Sequence, residues 1–163
     1  MARFVALAVI AVLAGIDQII KYFVESNIAS GETIVLLDRF IQITYLENTG
    51  AAFGSFKGGR IILIIVTALI VVAGLAAILM KKIKPGFLFG CIIMVIAGGL
   101  GNLIDRICRG YVIDYLDFLF VNFAVFNFAD CLVTCGAALI IAYLVRDLLQ
   151  GAGKGRNDKK SIA

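Results

Sequence analysis

The residues of this chain able to do chemistry are carboxylates and amides gathered in one stretch, GNLIDRICRGYVIDYLDFLFVNFAVFNFAD at 101–130. It holds Asp105, Asp114, Asp117 and Asp130 with Asn102, Arg106 and Asn127, between two long apolar runs. Polar groups at the edge of hydrocarbon are costly to desolvate, so they face a cavity, pair with one another and mark a functional site. Two carboxylates that meet within a few ångströms cannot both ionise easily; one pKa rises and the pair shares a proton. Such a pair can activate water and protonate a leaving amine. Asp130 is the first choice for one member, because it sits inside an apolar span where an acid is expensive. Asp114, at the outer end of an alternating segment, is the better-placed partner. Asp105, followed by Arg106, reads as a helix-end ion pair, and Asp117 falls in an exposed-looking YLDFL. Composition alone leaves that choice open.

The rest of the composition narrows the chemistry. The 163 residues are 62% hydrophobic and 16% charged, with a mean hydropathy of +1.04; a soluble domain of this size carries far more charge. There is no histidine, which excludes Ser–His and Cys–His nucleophiles and HExxH zinc sites. Acid–base work near neutral pH then falls to carboxylates, lysines, cysteines or tyrosines with shifted pKa values. Cys91, Cys108, Cys131 and Cys135 form no CxxC pair and read as small buried thiols, with Cys131 and Cys135 on one helical face and Cys131 beside Asp130. Ser55 and Lys57 in FGSFKGG are a weak hydrolase pair, two apart in a glycine-rich loop that is better read as surface. The net charge of +4 is spread at the ends of apolar segments, so the membrane accounts for it and nucleic acid does not.

These side chains must be positioned by membrane-spanning elements. The fold class expected is a membrane protein, an all-α core of four transmembrane helices with a small extracytoplasmic β-rich segment. The spans fall at about 4–23, 61–80, 87–104 and 127–145, each long enough at roughly 1.5 Å per residue to cross hydrocarbon about 30 Å thick. The first is read as an uncleaved helix, because IDQIIKYFV continues the apolar run past AVLAG. Near its end Asp17 and Lys21 stand four apart on one face and can pair, or Lys21 can snorkel outward. The run AGGLG at 97–101 lets another backbone come close. The outer segments, 25–60 and 105–127, contain β-branched and aromatic alternation bounded by glycine, the signature of short strands or extended loop. The glycine-rich basic tail, 151–163, is expected to be disordered and cytoplasmic.

Four spans put both ends of the chain on one side. Arg3, Lys81, Lys82, Lys84, Arg146, Lys154, Arg156, Lys159 and Lys160 lie there against Asp147 and Asp158, a balance of +7, which leaves −3 on the other side. The positive-inside rule makes the first side cytoplasmic. Asp17, Asn48, Asn102, Arg106, Asp114, Asn127 and Asp130 then converge on the outer boundary.

DQIIK at 17–21, ENTGAAFG at 47–54, GNLIDR at 101–106, VID at 112–114 and FNFAD at 126–130 together resemble the five motif blocks of the lipoprotein signal peptidases, or signal peptidase II family. Order, spacing and the four-span plan match over nearly the whole chain, leaving out the tail. The resemblance implies an aspartic endopeptidase of the bacterial inner membrane, multi-pass, with its active site at the outer face. Such an enzyme removes the signal peptide from diacylglyceryl-modified prolipoproteins, cutting before the lipid-bearing cysteine. By motif match it implies Asp114 and Asp130 as the catalytic pair. Asn48, Gly50, Asn102, Arg106 and Asn127 would bind substrate or orient the pair, and Asp17 and Lys21 would support. The pattern departs at Cys131, where the family more often has serine.

The partners implied are a lipid-modified prolipoprotein and membrane lipid, with no nucleic acid, no metal and no cofactor, and the chain is expected to act as a monomer. Arg106 can pair with a substrate carbonyl, with the Asp105 side, or cap the third helix. Phe40, Tyr45, Phe53, Phe56, Phe118, Phe120 and Phe123 are expected to embrace the lipid-modified substrate or to anchor the interface. Glycines 50, 54, 58, 59 and 110 are expected to hinge the outer loops closed over it. A small transporter using Asp114 and Asp130 as a proton relay competes with this reading, as does a scaffold subunit; the short chain and the lack of an internal repeat weigh against the transporter.

Overall fold

The structure, a computed structural model, describes residues 1–50 and 59–160, with side chains up to residue 150. Phe53, Gly54, Ser55, Phe56, Lys57 and Gly58 lie outside the described residues. The chain runs α1 (Ala2–Asn27), β1 (Thr33–Leu37), β2 (Ile41–Asn48), α2 (Arg60–Leu79), α3 (Phe87–Cys108), β3 (Val112–Phe118) and α4 (Phe128–Lys160). All four helices contain a stretch long and apolar enough to cross a membrane, in α4 Phe128–Gln150. Their outward faces are apolar, as lipid contact requires. In α2 only Val71 and Ile78 are buried.

Three helices run past their apolar spans, α4 continuing beyond Gln150 to Lys160 through the glycine-rich basic stretch. α1 continues to Asn27 because Glu25, in its last turn, accepts from Arg109 Nε at 3.2 Å. α3 continues through Asp105 to Cys108 because the Asp105 carboxylate has helix-borne and neighbouring partners, Lys21 and Arg109. The extended segment expected from 105 therefore begins only at Val112.

The bundle core is built of Ala6, Ile10, Val71, Ile78, Ile93, Ile96, Ala97 and Leu132. Small residues set the spacing, as expected of AGGLG. A methyl group on Gly98 would run into the Ala129 carbonyl, and one on Gly101 into the Asp17 carboxylate. Close backbone approach of this kind is how helices pack where lipid removes a hydrophobic drive.

At one end of the bundle the strands form an antiparallel sheet in the order β1-β2-β3. β1 and β2 make a hairpin whose turn, 38–40, holds Arg39 at φ 65. The β2–β3 register shifts between Ile43, opposite Leu116, and Leu46, opposite Asp114. This bulge lets β2 change face partway along, so that Tyr45 turns into the core with Val24, Ile28, Ile113 and Tyr115. Tyr45 is thus packing, not a substrate-facing aromatic. Beyond the bulge Asn48 stands diagonal to Asp114, two residues from its direct partner Leu46, on the same face of the ribbon.

Candidate active site

The start of α4 organises the site. Asn127 is its N-cap and Asp130 its third residue, and the two cap each other: Asp130 N donates to Asn127 Oδ1 at 2.9 Å, and Asn127 N donates to Asp130 Oδ2 at 3.3 Å. This is the reciprocal capping-box arrangement with Asn and Asp in place of Ser and Glu. The remaining first-turn amides are also satisfied. Phe128 N donates to Tyr115 Oη (3.2 Å), Ala129 N to Asp17 Oδ1 (3.0 Å) and Cys131 N to the Asn127 carbonyl (3.1 Å). A helix start that would otherwise expose four N–H groups is thereby fixed from three directions.

Capping also decides which way the Asn127 amide faces. With Oδ1 held by the helix, Nδ2 points away and donates to Asp114 Oδ1 at 2.6 Å and to Asn102 Oδ1 at 3.3 Å. Lys21 does the same for Asn102. An ammonium has donors only, and Lys21 Nζ donates to Asn102 Oδ1 at 3.0 Å, so Asn102 Nδ2 is turned to Asp130 Oδ1 at 2.7 Å. Asn48 completes the set, donating from Nδ2 to Asp114 Oδ2 at 2.8 Å while its Oδ1 accepts from Gly50 N at 2.9 Å. Each carboxylate thus receives two donors, and three asparagines hold the pair.

Asp114 is 1% exposed, whereas Asp130 is half-buried. Both face one cavity of about 360 Å³, whose wall includes Asn48, Arg106, Val112, Phe118, Phe126, Cys131 and Cys135. Burial, and then the charge of Asp130, push Asp114 up to about 6, against the pull of the Asn48 and Asn127 donors. Arg106 reaches across the site to donate to the Gly50 carbonyl at 3.2 Å and to its own helix at the Asn102 carbonyl, 3.4 Å. It does not pair with Asp105. Among the described residues no group of three or more Cys, Asp or Glu side chains converges as a metal site would.

Behind the pair lies a second polar layer. Lys21, 0% exposed, sits 2.8 Å from Asp17 and 2.7 Å from Asp105, both also fully buried. Lys21 therefore does not snorkel. Asp105, expected to pair with Arg106, is shared instead by Lys21, Arg109 Nη1 (2.7 Å) and Gln18 Nε2 (3.0 Å). The helical pitch explains the choice, since Arg109 is one turn on from Asp105 and Arg106 projects about 100° away. Asp117 lies outside this network, accepting from Gln42 Nε2 at 2.6 Å, and is half-buried in the sheet rather than exposed.

Gln18, Arg109 and Tyr115 are participants that sequence reasoning does not single out. Gln18 has a visible signal, a third polar group between Asp17 and Lys21 at the end of a span. Thr134 and Cys135, one turn beyond Asp130 and Cys131, line the cavity on the same helix face. Of the four thiols only Cys91 is buried; Cys131 is intermediate, and Cys108 and Cys135 are exposed.

Similarity to known proteins agrees with this architecture. Residues 9–146 match the family described as signal peptidase (SPase) II. A lipoprotein signal peptidase of Streptococcus pneumoniae is 34% identical over 151 residues, 91% of this chain and 97% of that protein. One from Clostridioides difficile is 39% identical over 84% of this chain and 92% of its own length. Among solved structures, a bacterial membrane enzyme determined by the in meso method at 2.3 Å resolution superposes with a TM-score of 0.82 at 30% identity, covering 88% of this chain and 89% of that one. With four spans, the capped pair of carboxylates and the family match over most of its length, this chain belongs to the signal peptidase II family, as a multi-pass membrane peptidase.

Proposed function

We propose that this chain is an aspartic endopeptidase that removes the signal peptide from diacylglyceryl-modified prolipoproteins, cutting before the lipid-bearing cysteine, with Asp114 and Asp130 as its catalytic pair. The observation that carries the reading is the delivery of two carboxylates from different elements, β3 and α4, to one apolar-walled cavity. Asp114, raised to about 6 by burial and by its partner, holds the shared proton. Asp130, the more accessible, is the base. It takes a proton from a water that attacks the scissile carbonyl while Asp114 protonates the carbonyl oxygen; on collapse of the resulting gem-diol, Asp130 gives its proton to the departing amine and Asp114 takes one back from a gem-diol hydroxyl, which restores the pair. Asn48, Asn102 and Asn127 keep both carboxylates aimed, while Gly50 and Arg106 border the space for an extended peptide backbone.

The aromatic cluster of Phe118, Phe120, Phe123 and Phe126, with ring centroids 5.0–6.5 Å from Phe118, supports an apolar seat for the lipid-modified residue. The positive-inside charge balance supports a cytoplasmic position for both ends of the chain and an outer-face position for the site.

The test is cleavage of a lipid-modified precursor peptide by the purified protein in detergent. Asp114→Asn and Asp130→Asn are each expected to retain binding and to lose turnover by about 10²–10⁴-fold or more, the range general acid–base groups supply. Normal cutting by either variant, or no cutting by wild type, overturns the assignment.

A further inference from the structure

At the end of the bundle away from the sheet, the start of α1, the α2–α3 turn and the start of α3 enclose a second cavity, of about 350 Å³. Its charged wall is Arg3, Lys81 and Lys84, and no acidic side chain lines it. None of the three cations has a carboxylate partner among the described residues; Arg3 instead lies over the Phe4 ring, 5.1 Å from its centroid. The wall also has an apolar part, with Ile78, Ile83 and Phe89. Like charges gathered around one space repel, and an anion between them turns that repulsion into attraction.

Two further features act in the same direction. α1 and α3 both begin at this cavity, and neither has an acidic residue in its first turn or a side-chain cap, so the positive ends of two long helix dipoles add to the three cations. Lys81 ends α2 in the left-handed region, at φ 57, in a Schellman arrangement where Lys82 N donates to the Ala77 carbonyl and Lys81 N to the Ile78 carbonyl. Glycine is the usual occupant of that position, and a lysine there costs backbone energy but delivers an ammonium to the cavity.

We infer that this cavity binds the phosphate of one anionic phospholipid headgroup. A free phosphate ion shares that chemistry. The apolar wall and the position at the boundary of four spans favour the lipid, whose chains would follow the exposed apolar surface of α2, where Leu79 and Met80 face outward. The site is remote from the carboxylate pair, since Arg3 and Lys21 are separated by about 27 Å of helix at 1.5 Å per residue. Lipid binding at this end does not depend on the peptidase reading.

Native mass spectrometry of the full chain in detergent, with phosphatidylglycerol, phosphatidylcholine or inorganic phosphate added, tests it. Wild type is expected to retain one phosphatidylglycerol in preference to phosphatidylcholine and to show no comparable gain from inorganic phosphate. Lys81→Gln/Lys84→Gln is expected to weaken that retention about 10- to 30-fold, as loss of two headgroup-facing cations implies. Lys82→Gln/Arg146→Gln removes the same charge elsewhere and should retain the lipid, as should Lys81→Arg/Lys84→Arg. Unfolding midpoints in lipid-free detergent show that each variant is folded. Equal loss in both glutamine variants, equal retention of the two lipids, or inorganic phosphate bound as tightly as phosphatidylglycerol overturns the inference.

Discussion

Asp114 and Asp130 are buried differently. Asp114 reaches the cavity from a strand covered on both faces, so its carboxyl rises from the ordinary 3.8 to about 6, first through burial and then through Asp130. A raised folded pKa means that the native state binds the proton more tightly than the unfolded chain. The resulting stabilisation is fully present below about pH 3.8 and is lost as pH rises through about 6. A rise of that size is worth on the order of 3 kcal/mol. Unfolding of wild type in detergent is therefore expected to become easier between pH 4 and pH 6, and the Asp114→Asn variant to lack that part of the slope. Identical slopes in the two proteins would remove Asp114 as the proton holder. The residue types of this site are legible in the sequence, since an acid in the first turn of an apolar span is expensive and FNFAD announces it. The roles of the asparagines are less so: which atom of each amide faces which carboxylate follows from the α4 cap and from Lys21, and both are tertiary facts.

The helices are visible as apolar runs of membrane length, but their ends are not. α1 and α3 outrun the hydrocarbon because Glu25 finds Arg109, and Asp105 finds Lys21, across the two helices, which no one-dimensional pattern displays. Alternation points to the strands, yet the bulge that turns Tyr45 inward breaks the pattern where it matters. Pro85, the only proline, marks the α2–α3 turn in the sequence, but nothing marks Lys81 as the residue that takes the left-handed backbone there. Its left-handed backbone at the end of α2 gives a sharp expectation at this level. Lys81→Gly should stabilise the fold by about 0.5–1 kcal/mol, the Cβ strain relieved being partly offset by the freer unfolded chain. Thermal unfolding in lipid-free detergent measures it. A variant less stable than wild type would mean that the lysine's own contacts outweigh the strain.

The molecule as a whole is a lipid-facing bundle closed at one end by a charged plug. Lys21 on α1, Asp105 and Arg109 on α3, and Asp17 on α1 with its reach to α4 tie three helices together directly behind the carboxylate pair. The sequence displays the Asp17–Lys21 spacing, but the third member, Asp105, is hidden there by its neighbour Arg106, the nearer cation along the chain. Ion pairs sealed from water gain little net stability over apolar packing, whereas removing one partner strands the other charge and costs about 3–5 kcal/mol. Lys21→Met should therefore destabilise strongly, because it leaves Asp17 and Asp105 without their shared cation and frees the Asn102 amide to turn over. Lys21→Met/Asp17→Asn removes charge from both sides, and the asparagine oxygen still accepts from Ala129 N. Its unfolding midpoint is expected to recover part of the loss, while cleavage stays impaired because Asn102 no longer has the ammonium that fixes its donor on Asp130. If the double variant were no more stable than Lys21→Met, the plug would be held by packing rather than charge; full activity in it would show that Asn102 is oriented without Lys21.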